Sequence, residues 1–251
     1  MTRTTPREGT SRPTRGAVSN GRVATARESN AAAARRGLWG ALDTVQCGRP
    51  DVVRAFMATA AVDTTIVDVG CWNGSVAALA AESLGAGPSE APWRSYTGVD
   101  CVTEAVGEFR RVHRLRPRTF ARVGDVRDLP VADAAADVVL CLFVLQDLES
   151  RAAGLRVLAE LARVARPGAG ALLGLTVHSS REEETFYVVK KLRREGIPEK
   201  PTHHWRRDDF LAAVRASGFR IVRSDEFGPN ERGFVELYLH LLRDDGDDGA
   251  R

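Results

Sequence analysis

The feature that most constrains this chain is a repeated order of short apolar run, glycine turn and helical stretch that starts near Thr64. In the first unit, a β-branched run at 65–69 ends at Gly70, and an Ala/Leu-rich stretch follows from 75 to 84. A later run, 137–143, is almost entirely apolar, which is typical of a strand buried on both faces of a parallel sheet. This alternation predicts a doubly wound α/β fold with helices on both faces of the sheet.

The other elements follow from the same patterns. Strands are predicted at 65–69, 96–99, 119–123, 137–143, 171–177, 219–224 and 234–242. Helices are predicted at 75–84, from a cap at Thr103, at about 151–165 and at 208–217, with N-terminal helices within 31–62. The long stretch 179–205 opens with a helical pattern of Phe186, Val189 and Leu192. A connection of this length predicts a lid, with a charged surface helix as the alternative.

Charge is unevenly distributed along the chain. Residues 1–40 hold eight arginines against Glu8 and Glu28, a net charge of +6, whereas the whole chain has a formal net charge of +3. The remainder is therefore at −3, and a near-neutral body argues against a nucleic-acid clamp, which needs a concentrated basic face. Residues 1–30 contain almost nothing that could be buried, so we expect a disordered basic tail there and a solvated acidic tail at 244–251.

The sequence shows no membrane-spanning, secretion or metal-binding signal, and its Arg-rich, acid-poor N-terminus leaves an organellar transit peptide open as the alternative to a solvated tail. No apolar run approaches the roughly 20 residues that a membrane-spanning helix needs. The first residues lack the apolar core of a secretion signal. The cysteines, at 47, 71, 101 and 141, are too far apart for a C-x-x-C metal or redox motif. We therefore expect a protein of the reducing cytoplasm, with no membrane contact and no metal.

Acids and glycines gather where the predicted strands end, which is where doubly wound folds bind ligands. Strand one runs into Asp68-Val69-Gly70-Cys71-Trp72-Asn73-Gly74, whose glycines permit a sharp turn and a close approach of the backbone to a ligand. Strand two ends at Asp100, a carboxylate that could bind a ribose diol. Strand three ends at Gly124-Asp125, which could accept a hydrogen bond from an adenine amine, and strand four runs into Gln146-Asp147. Each feature alone also has a structural explanation, such as a turn or a helix cap.

In this order and spacing, the motifs resemble those of the class I S-adenosylmethionine-dependent methyltransferases. The resemblance covers about Thr64 to Arg243. Asp68, Gly70 and Gly74 are similar to the glycine-rich first motif, Asp100 to the ribose-binding acid and Asp125 to the adenine-contacting motif. The segments 158–170 and 216–219 resemble the family's helix leading into strand five and its turn into strand six.

The resemblance implies a seven-stranded, mixed, Rossmann-like sheet with an antiparallel last strand, and S-adenosylmethionine bound across the first strands. It implies a methyltransferase domain at 63–243 beneath N-terminal helices that cover the substrate site. It also places Cys101, Val126 and Leu142 beside the cofactor. Trp72 departs from the family pattern, which usually has a second glycine there. Its indole either lies over the cofactor or pushes the loop away from it.

Methyl transfer to an alcohol or phenol is helped by a base, and four residues are candidates. They are Asp147 after strand four, His178 after strand five, and His203 and His204 before Trp205. A histidine near its ordinary pKa accepts a proton at neutral pH. Each of the four could equally shape the pocket without taking part in the chemistry. His113 and His240 lie away from the strand ends and are expected to be structural.

The acceptor is constrained mainly by motifs that the sequence lacks. The chain has Leu142-Phe143-Val144-Leu145 where methyltransferases acting on exocyclic base amines carry Asn/Asp-Pro-Pro-Tyr/Phe. Cys141 is not preceded by the proline of a cytosine C5 nucleophile. These differences argue against base methylation by those routes. The apolar fourth motif followed by Gln146-Asp147 resembles that of the small-molecule methyltransferases, which implies methyl transfer to O, N or C of a small metabolite or natural product, with nucleic acid disfavoured as a partner. The enzyme could be a homodimer.

Three alternatives stay open. A nicotinamide-dependent oxidoreductase needs glycines at two positions where this chain has Trp72 and Ser75. Trp72 also suggests a non-catalytic subunit that binds the cofactor without turnover. The basic N-terminal tail suggests an RNA or protein methyltransferase.

Overall fold

The computed structural model describes residues 48–178, 185–188, 201–231 and 233–245. The predictions for the basic tail at 1–30, for helices within 31–47 and for the acidic residues after 245 lie outside this range. So does most of the predicted lid, including Val189 and Leu192.

The described secondary structure consists of nine strands, five α-helices and one 3-10 turn. The strands are β1 (Thr65–Val69), β2 (Ser95–Asp100), β3 (Thr119–Val123), β4 (Ala136–Leu142), β5 (Ala165–His178), β6 (Thr185–Val188), β7 (Pro201–Arg206), β8 (Phe219–Phe227) and β9 (Phe234–Arg243). The helices are α1 (Pro50–Met57), α2 (Ser75–Ser83), α3 (Thr103–Val112), α4 (Arg151–Val164) and α5 (Arg207–Ala216), and the 3-10 turn is Leu145–Asp147. All seven predicted strands are present, with bounds that differ mainly at their ends.

Seven strands form the predicted mixed sheet, in the order β3, β2, β1, β4, β5, β9, β8. Strands β1 to β5 are parallel to one another, and β9 runs antiparallel between β5 and β8. The strand order reverses between β1 and β4. In doubly wound sheets the ligand crevice lies outside the carboxyl ends of the strands at such a reversal.

Strands β6 and β7 form an antiparallel hairpin that the sequence analysis did not predict. Strand β7 extends the sheet beside the end of β5, where His178 is paired with Arg206. The helical pattern proposed from Phe186 is wrong for 185–188, where the chain is extended. These four residues are β-branched or aromatic, which favours a strand, and hydrophobic spacing over so short a run does not separate the two states.

Helices cover both faces of the sheet, as predicted, and divide the core into two clusters. Helices α1, α2 and α3 pack on one face and α4 and α5 on the other. Helix α1 illustrates the local logic: Pro50 occupies the first turn, and the residues at helical spacing are buried against the sheet. None of the described helices is long and apolar enough to cross a membrane.

Candidate active site

The turn between β1 and α2, residues 68–74, lies at the carboxyl edge of the sheet and contains three residues in the left-handed region. Gly70, Trp72 and Gly74 have φ angles of 76°, 47° and 86°. A side chain at Gly70 would overlap the side chain of Val144, which follows β4. Glycine therefore lets two neighbouring strand ends approach closely, as a loop that brings its backbone against a ligand requires.

Asp100, at the end of β2, organises two backbone segments. Its carboxylate accepts hydrogen bonds from the N–H of Trp72 at 3.0 Å and of Val102 at 2.9 Å. The predicted cap at Thr103 is wrong: Thr103 is the first helical residue, and the bond from Val102 to Asp100 orders the start of α3. Burial raises the pKa of Asp100, and the charge of Asp147 adds to this effect. Each carboxylate oxygen has a second lone pair, which a ribose diol could use.

Asp68, the first residue of the glycine motif, lies beneath the loop. It is 1% exposed, and its Oδ2 accepts a 2.6 Å hydrogen bond from the Tyr96 hydroxyl. Burial raises the pKa of Asp68 to about 7, although the Tyr96 bond lowers it, and the Asp100 charge raises it further. Asp68 thus supports the loop from below, and its direct contact with a cofactor stays a prediction.

The Trp72 side chain packs against Val102 and Ala105 at the start of α3, together with Cys101. The backbone N–H of Trp72 donates its hydrogen bond to Asp100. The indole therefore does not displace the loop from Asp100, the predicted ribose-binding acid, and it packs beside the residues that follow Asp100.

The residues predicted to lie near the adenine have different environments. Asp125 is exposed and forms a 2.7 Å ion pair with Arg127, which lowers the pKa of the Asp125 carboxyl. Val126 is buried in the core cluster on one face of the sheet and Leu142 in the cluster on the other face. An adenine amine would have to share Asp125 with Arg127, and cofactor contacts by these residues stay predictions.

The 3-10 turn after β4 lies between the predicted cofactor-binding residues and the predicted bases at the carboxyl edge of the sheet. Gln146 Oε1 accepts a 2.8 Å hydrogen bond from the N–H of Thr176, so its amide holds the turn against β5. The charge of Asp147 raises the pKa of both Asp100 and His204. The structure therefore brings Asp147 close to both Asp100 and His204, a predicted ribose-binding acid and a predicted base.

The three predicted histidines meet at the ends of β5 and β7. His204 is 9% exposed, and its Nδ1 lies 3.3 Å from the carbonyl oxygen of Thr176. The rings of His178 and His204 both pack on Phe234, with centroids 5.1 and 4.5 Å from it. His203, the neighbouring residue along β7, is fully buried.

The surroundings of His204 fix its protonation. Burial lowers its pKa, as do His203 and His178, whereas the bond to Thr176 and the charge of Asp147 raise it. A carbonyl oxygen can only accept a hydrogen bond, so Nδ1 carries the proton and the lone pair lies on Nε2. His204 is therefore a neutral imidazole at neutral pH, in a tautomer that can act as a base.

The sequence analysis missed the aromatic residues around this edge. Phe143 meets Tyr238 edge to face with ring centroids 5.9 Å apart, and Phe227 lies 6.0 Å from Tyr238. The guanidinium of Arg49 lies 3.9 Å above the Phe227 ring. Only Phe143 carried a signal, its position as the last residue of the predicted apolar strand four. The others come from elements whose place in the sheet is set by topology.

Solved structures with this fold cover most of the chain. A Haloferax volcanii complex between the Trm112 methyltransferase activator and a methyltransferase aligns with a TM-score of 0.64 and 16% identity, over 85% of this chain and 97% of that chain. The N-methyltransferase NodS from Bradyrhizobium japonicum, bound to S-adenosylhomocysteine, aligns at 0.61 and 14% identity, over 86% and 99%. The [4+2]-cyclase SpnF aligns at 0.64 and 15% identity, over 89% and 98%.

Residues 67–173 match the family described as the methyltransferase domain. The chain carries a class I S-adenosylmethionine-dependent methyltransferase domain. The match begins in β1 and ends in β5, so it includes the glycine loop, Asp100 and the turn after β4. No curated protein sequence matches the chain.

The residues of this methyltransferase domain fit its cofactor, S-adenosylmethionine. Asp100 presents a carboxylate whose orientation is fixed by two backbone N–H groups. Gly70 and Gly74 keep side chains out of a loop that leads directly into α2, whose first N–H groups lie at the carboxyl edge. Among the described residues, no group of three or more metal-binding side chains occurs.

Proposed function

We propose that this methyltransferase domain transfers the methyl group of S-adenosylmethionine to O, N or C of a small metabolite or natural product, with His204 as the base for hydroxyl acceptors. The observation that carries the proposal is the His204 ring, which is neutral, oriented by Thr176 and close to Asp147. The glycine loop and Asp100 lie at the same edge of the sheet. Base and cofactor-binding residues therefore share the side at which doubly wound folds bind ligands.

The residues at this edge have different tasks in the transfer. The bound cofactor supplies an electrophilic methyl group on a positively charged sulfur. Transfer is an in-line displacement, so the protein mainly aligns the acceptor atom, and proximity contributes much of the rate. His204 accepts the proton of a hydroxyl acceptor at Nε2. The carboxylate of Asp147 stabilises the imidazolium that forms, since its charge raises the pKa of His204.

The shape of the edge supports a small, largely apolar or aromatic acceptor. Phe234 packs against the rings of His178 and His204, and Phe143, which is partly exposed after β4, packs edge to face on the buried Tyr238. A side chain added at Gly48 would lie 2.5 Å from the Phe143 ring, so the chain enters α1 beside this surface. We extend the proposal to residues 31–47, which precede this point and would cover the acceptor, and to the lid formed by 179–205.

The test is methyl transfer from labelled S-adenosylmethionine to a panel of phenols, alcohols and amines. His204→Gln should lower turnover of a hydroxyl acceptor by roughly 100-fold or more, because proton removal is lost, while S-adenosylhomocysteine affinity is kept. His240→Gln is the matched control, since His240 bonds to Asp225 at 3.1 Å on an outer pair of strands and should leave turnover unchanged. Labelling of RNA or protein but of no small molecule would show that the proposed acceptor class is wrong.

A macromolecular acceptor is the second candidate, and one observation favours it. Residues 109–124, which run from the end of α3 through the connecting loop and β3, contain six arginines and no acid. Arg110, Arg118 and Arg122 donate hydrogen bonds to neutral main-chain carbonyls, which leave their charge uncompensated. A locally basic segment therefore exists within a body whose net charge is −3.

The two candidates differ in salt dependence. A phosphate-binding surface loses affinity steeply as salt rises, because bound counterions are released on association. Methylation of total RNA should then fall with added salt and in the double variant Arg114→Gln/Arg118→Gln. Small-molecule turnover should respond to neither change.

The free cysteines indicate the compartment in which the protein works. Cys71, Cys101 and Cys141 are free, and Cys71 and Cys141 are buried. Free thiols persist in reducing compartments, so we propose a cytoplasmic location. The homodimer stays a prediction that light scattering of the purified chain would check.

A further inference from the structure

Three side chains from β2 and from the C-terminal end of α3 form hydrogen bonds with the glycine loop at 68–74, in addition to backbone bonds from Gly70 and Cys71 to Val99 in β2. At its start, the Tyr96 hydroxyl donates to Asp68 at 2.6 Å. In its middle, the Trp72 N–H donates to Asp100. At its end, His113 Nε2 lies 2.8 Å from the carbonyl oxygen of Gly74. The unit that follows the loop in sequence therefore determines its shape.

The contact between His113 and Gly74 is the most closely packed of the three. A Cβ at Gly74 would lie 2.5 Å from His113 Nε2 and 2.7 Å from Phe109 Cδ2, so only glycine fits. The same carbonyl oxygen accepts the first helical bond of α2, from the Ala78 N–H at 3.1 Å. His113 thus holds the residue at which the loop becomes a helix. Burial lowers its pKa, and the carbonyl acceptor requires the proton on Nε2.

Tyr96 and His113 belong to one buried row of rings. Phe109 stands between them, with ring centroids 6.3 Å from Tyr96 and 4.7 Å from His113. Tyr96 and Phe109 are fully buried, and His113 is 5% exposed. Rings packed in this way have few alternative positions, so the two ends of the loop are tied to a rigid support.

We propose that Tyr96 and His113 are positioning residues that hold the glycine loop in its cofactor-binding conformation. The inference rests on the assignment of S-adenosylmethionine as cofactor. Both side chains lie beneath the loop, so they act through Asp68 and Gly74 rather than by touching the cofactor. Loss of either bond releases one end of the loop and weakens cofactor binding.

The experiment is calorimetric titration of the full chain with S-adenosylhomocysteine, well below the melting temperature of each variant. Tyr96→Phe and His113→Leu each remove one bond, and each should raise Kd by roughly three- to tenfold. His113→Gln can still donate to the Gly74 carbonyl from its amide, so it should keep Kd close to that of the wild type. Rescue by glutamine distinguishes the hydrogen bond from the packing of the ring.

Thr119→Val is the matched control for a loss of stability alone. Thr119 accepts a 3.1 Å hydrogen bond from Trp93 Nε1, next to the same row of rings but away from the loop. It should lower the melting temperature and leave Kd unchanged. If Tyr96→Phe and His113→Leu behave like this control, the inference is overturned. A wild-type chain that does not bind S-adenosylhomocysteine would instead contradict the cofactor assignment.

Discussion

The Tyr96 hydroxyl donates a 2.6 Å hydrogen bond to Asp68, a carboxyl group that is shielded almost completely from water. The bond favours the ionised carboxylate, but burial outweighs it and raises the pKa of Asp68 to about 7, from an ordinary value of 3.8. The folded protein therefore keeps a proton on Asp68 at pH values where the unfolded chain has lost it.

This proton makes stability depend on pH with an unusual sign. Because the folded pKa is the higher one, Asp68 lowers the free energy of unfolding as pH rises from about 4 to about 7, by at most roughly 1.4 kcal/mol per pH unit. Asp68→Asn has no proton to lose and keeps an oxygen for the Tyr96 bond. The melting temperature of the wild type, relative to this variant, should fall between pH 5 and pH 7.5 or so.

Comparing the melting temperatures of the wild type and Asp68→Asn removes the contribution of the neighbouring ionisable groups. Asp100 and Cys71, which interact electrostatically with Asp68, are the same in both proteins. A difference in melting temperature that is constant across this pH range would show that Asp68 is ionised in the folded protein.

The two glycines at the ends of α2 separate backbone strain from steric overlap. Gly74 and Gly85 have φ angles of 86° and 74°, but a Cβ at Gly85 meets nothing within 4 Å, whereas one at Gly74 strikes His113 and Phe109. Gly85→Ala should cost about 1 kcal/mol, and Gly74→Ala should cost about 2 kcal/mol more because the rings must move. Urea unfolding of both variants measures this difference, and equal costs would exclude the overlap.

Trp72 occupies the position where related loops usually have glycine. Its ring packs on Val102 and Ala105, close to the predicted ribose-binding acid Asp100, and we expect it to form one wall of the cofactor site. Trp72→Gly should weaken S-adenosylhomocysteine binding by roughly tenfold, because a large apolar contact is lost. Affinity that is unchanged or improved by the substitution would mean that the ring does not touch the cofactor.

The pH profile of a hydroxyl acceptor tests the role of His204. A base must be deprotonated, so kcat/KM should fall on the acidic side of the His204 pKa, which burial places below its ordinary value of 6.5. Asp147 raises this pKa, so Asp147→Asn should move the acidic limb to still lower pH. An acidic limb at the same pH in both proteins would exclude His204 as the group that titrates.

The sequence predicted the sheet because its strands are short apolar runs bounded by glycine or acid. It predicted Asp100 because an acid at the end of β2 is a local feature. It missed the β6–β7 hairpin, since four residues at 185–188 are too few for periodicity to distinguish strand from helix.

The roles of His113 and Tyr96 needed the three-dimensional structure. His113 lies 39 positions from its partner Gly74, and Tyr96 lies 28 positions from Asp68. No local pattern reports such pairs. His113 was interpreted as structural because it lies away from the strand ends, and only the packing of α3 against the loop shows what it supports.

The most direct test of the central claim is calorimetric titration of S-adenosylhomocysteine into the wild type and Asp100→Asn, with Asp128→Asn as an exposed control that should match the wild type. The account predicts a single site in the wild type and a loss of affinity of at least roughly 30-fold in Asp100→Asn, because the substitution removes the buried carboxylate that is predicted to bind the ribose diol. Binding of equal strength by Asp100→Asn and the wild type, or no binding by either protein, would contradict it.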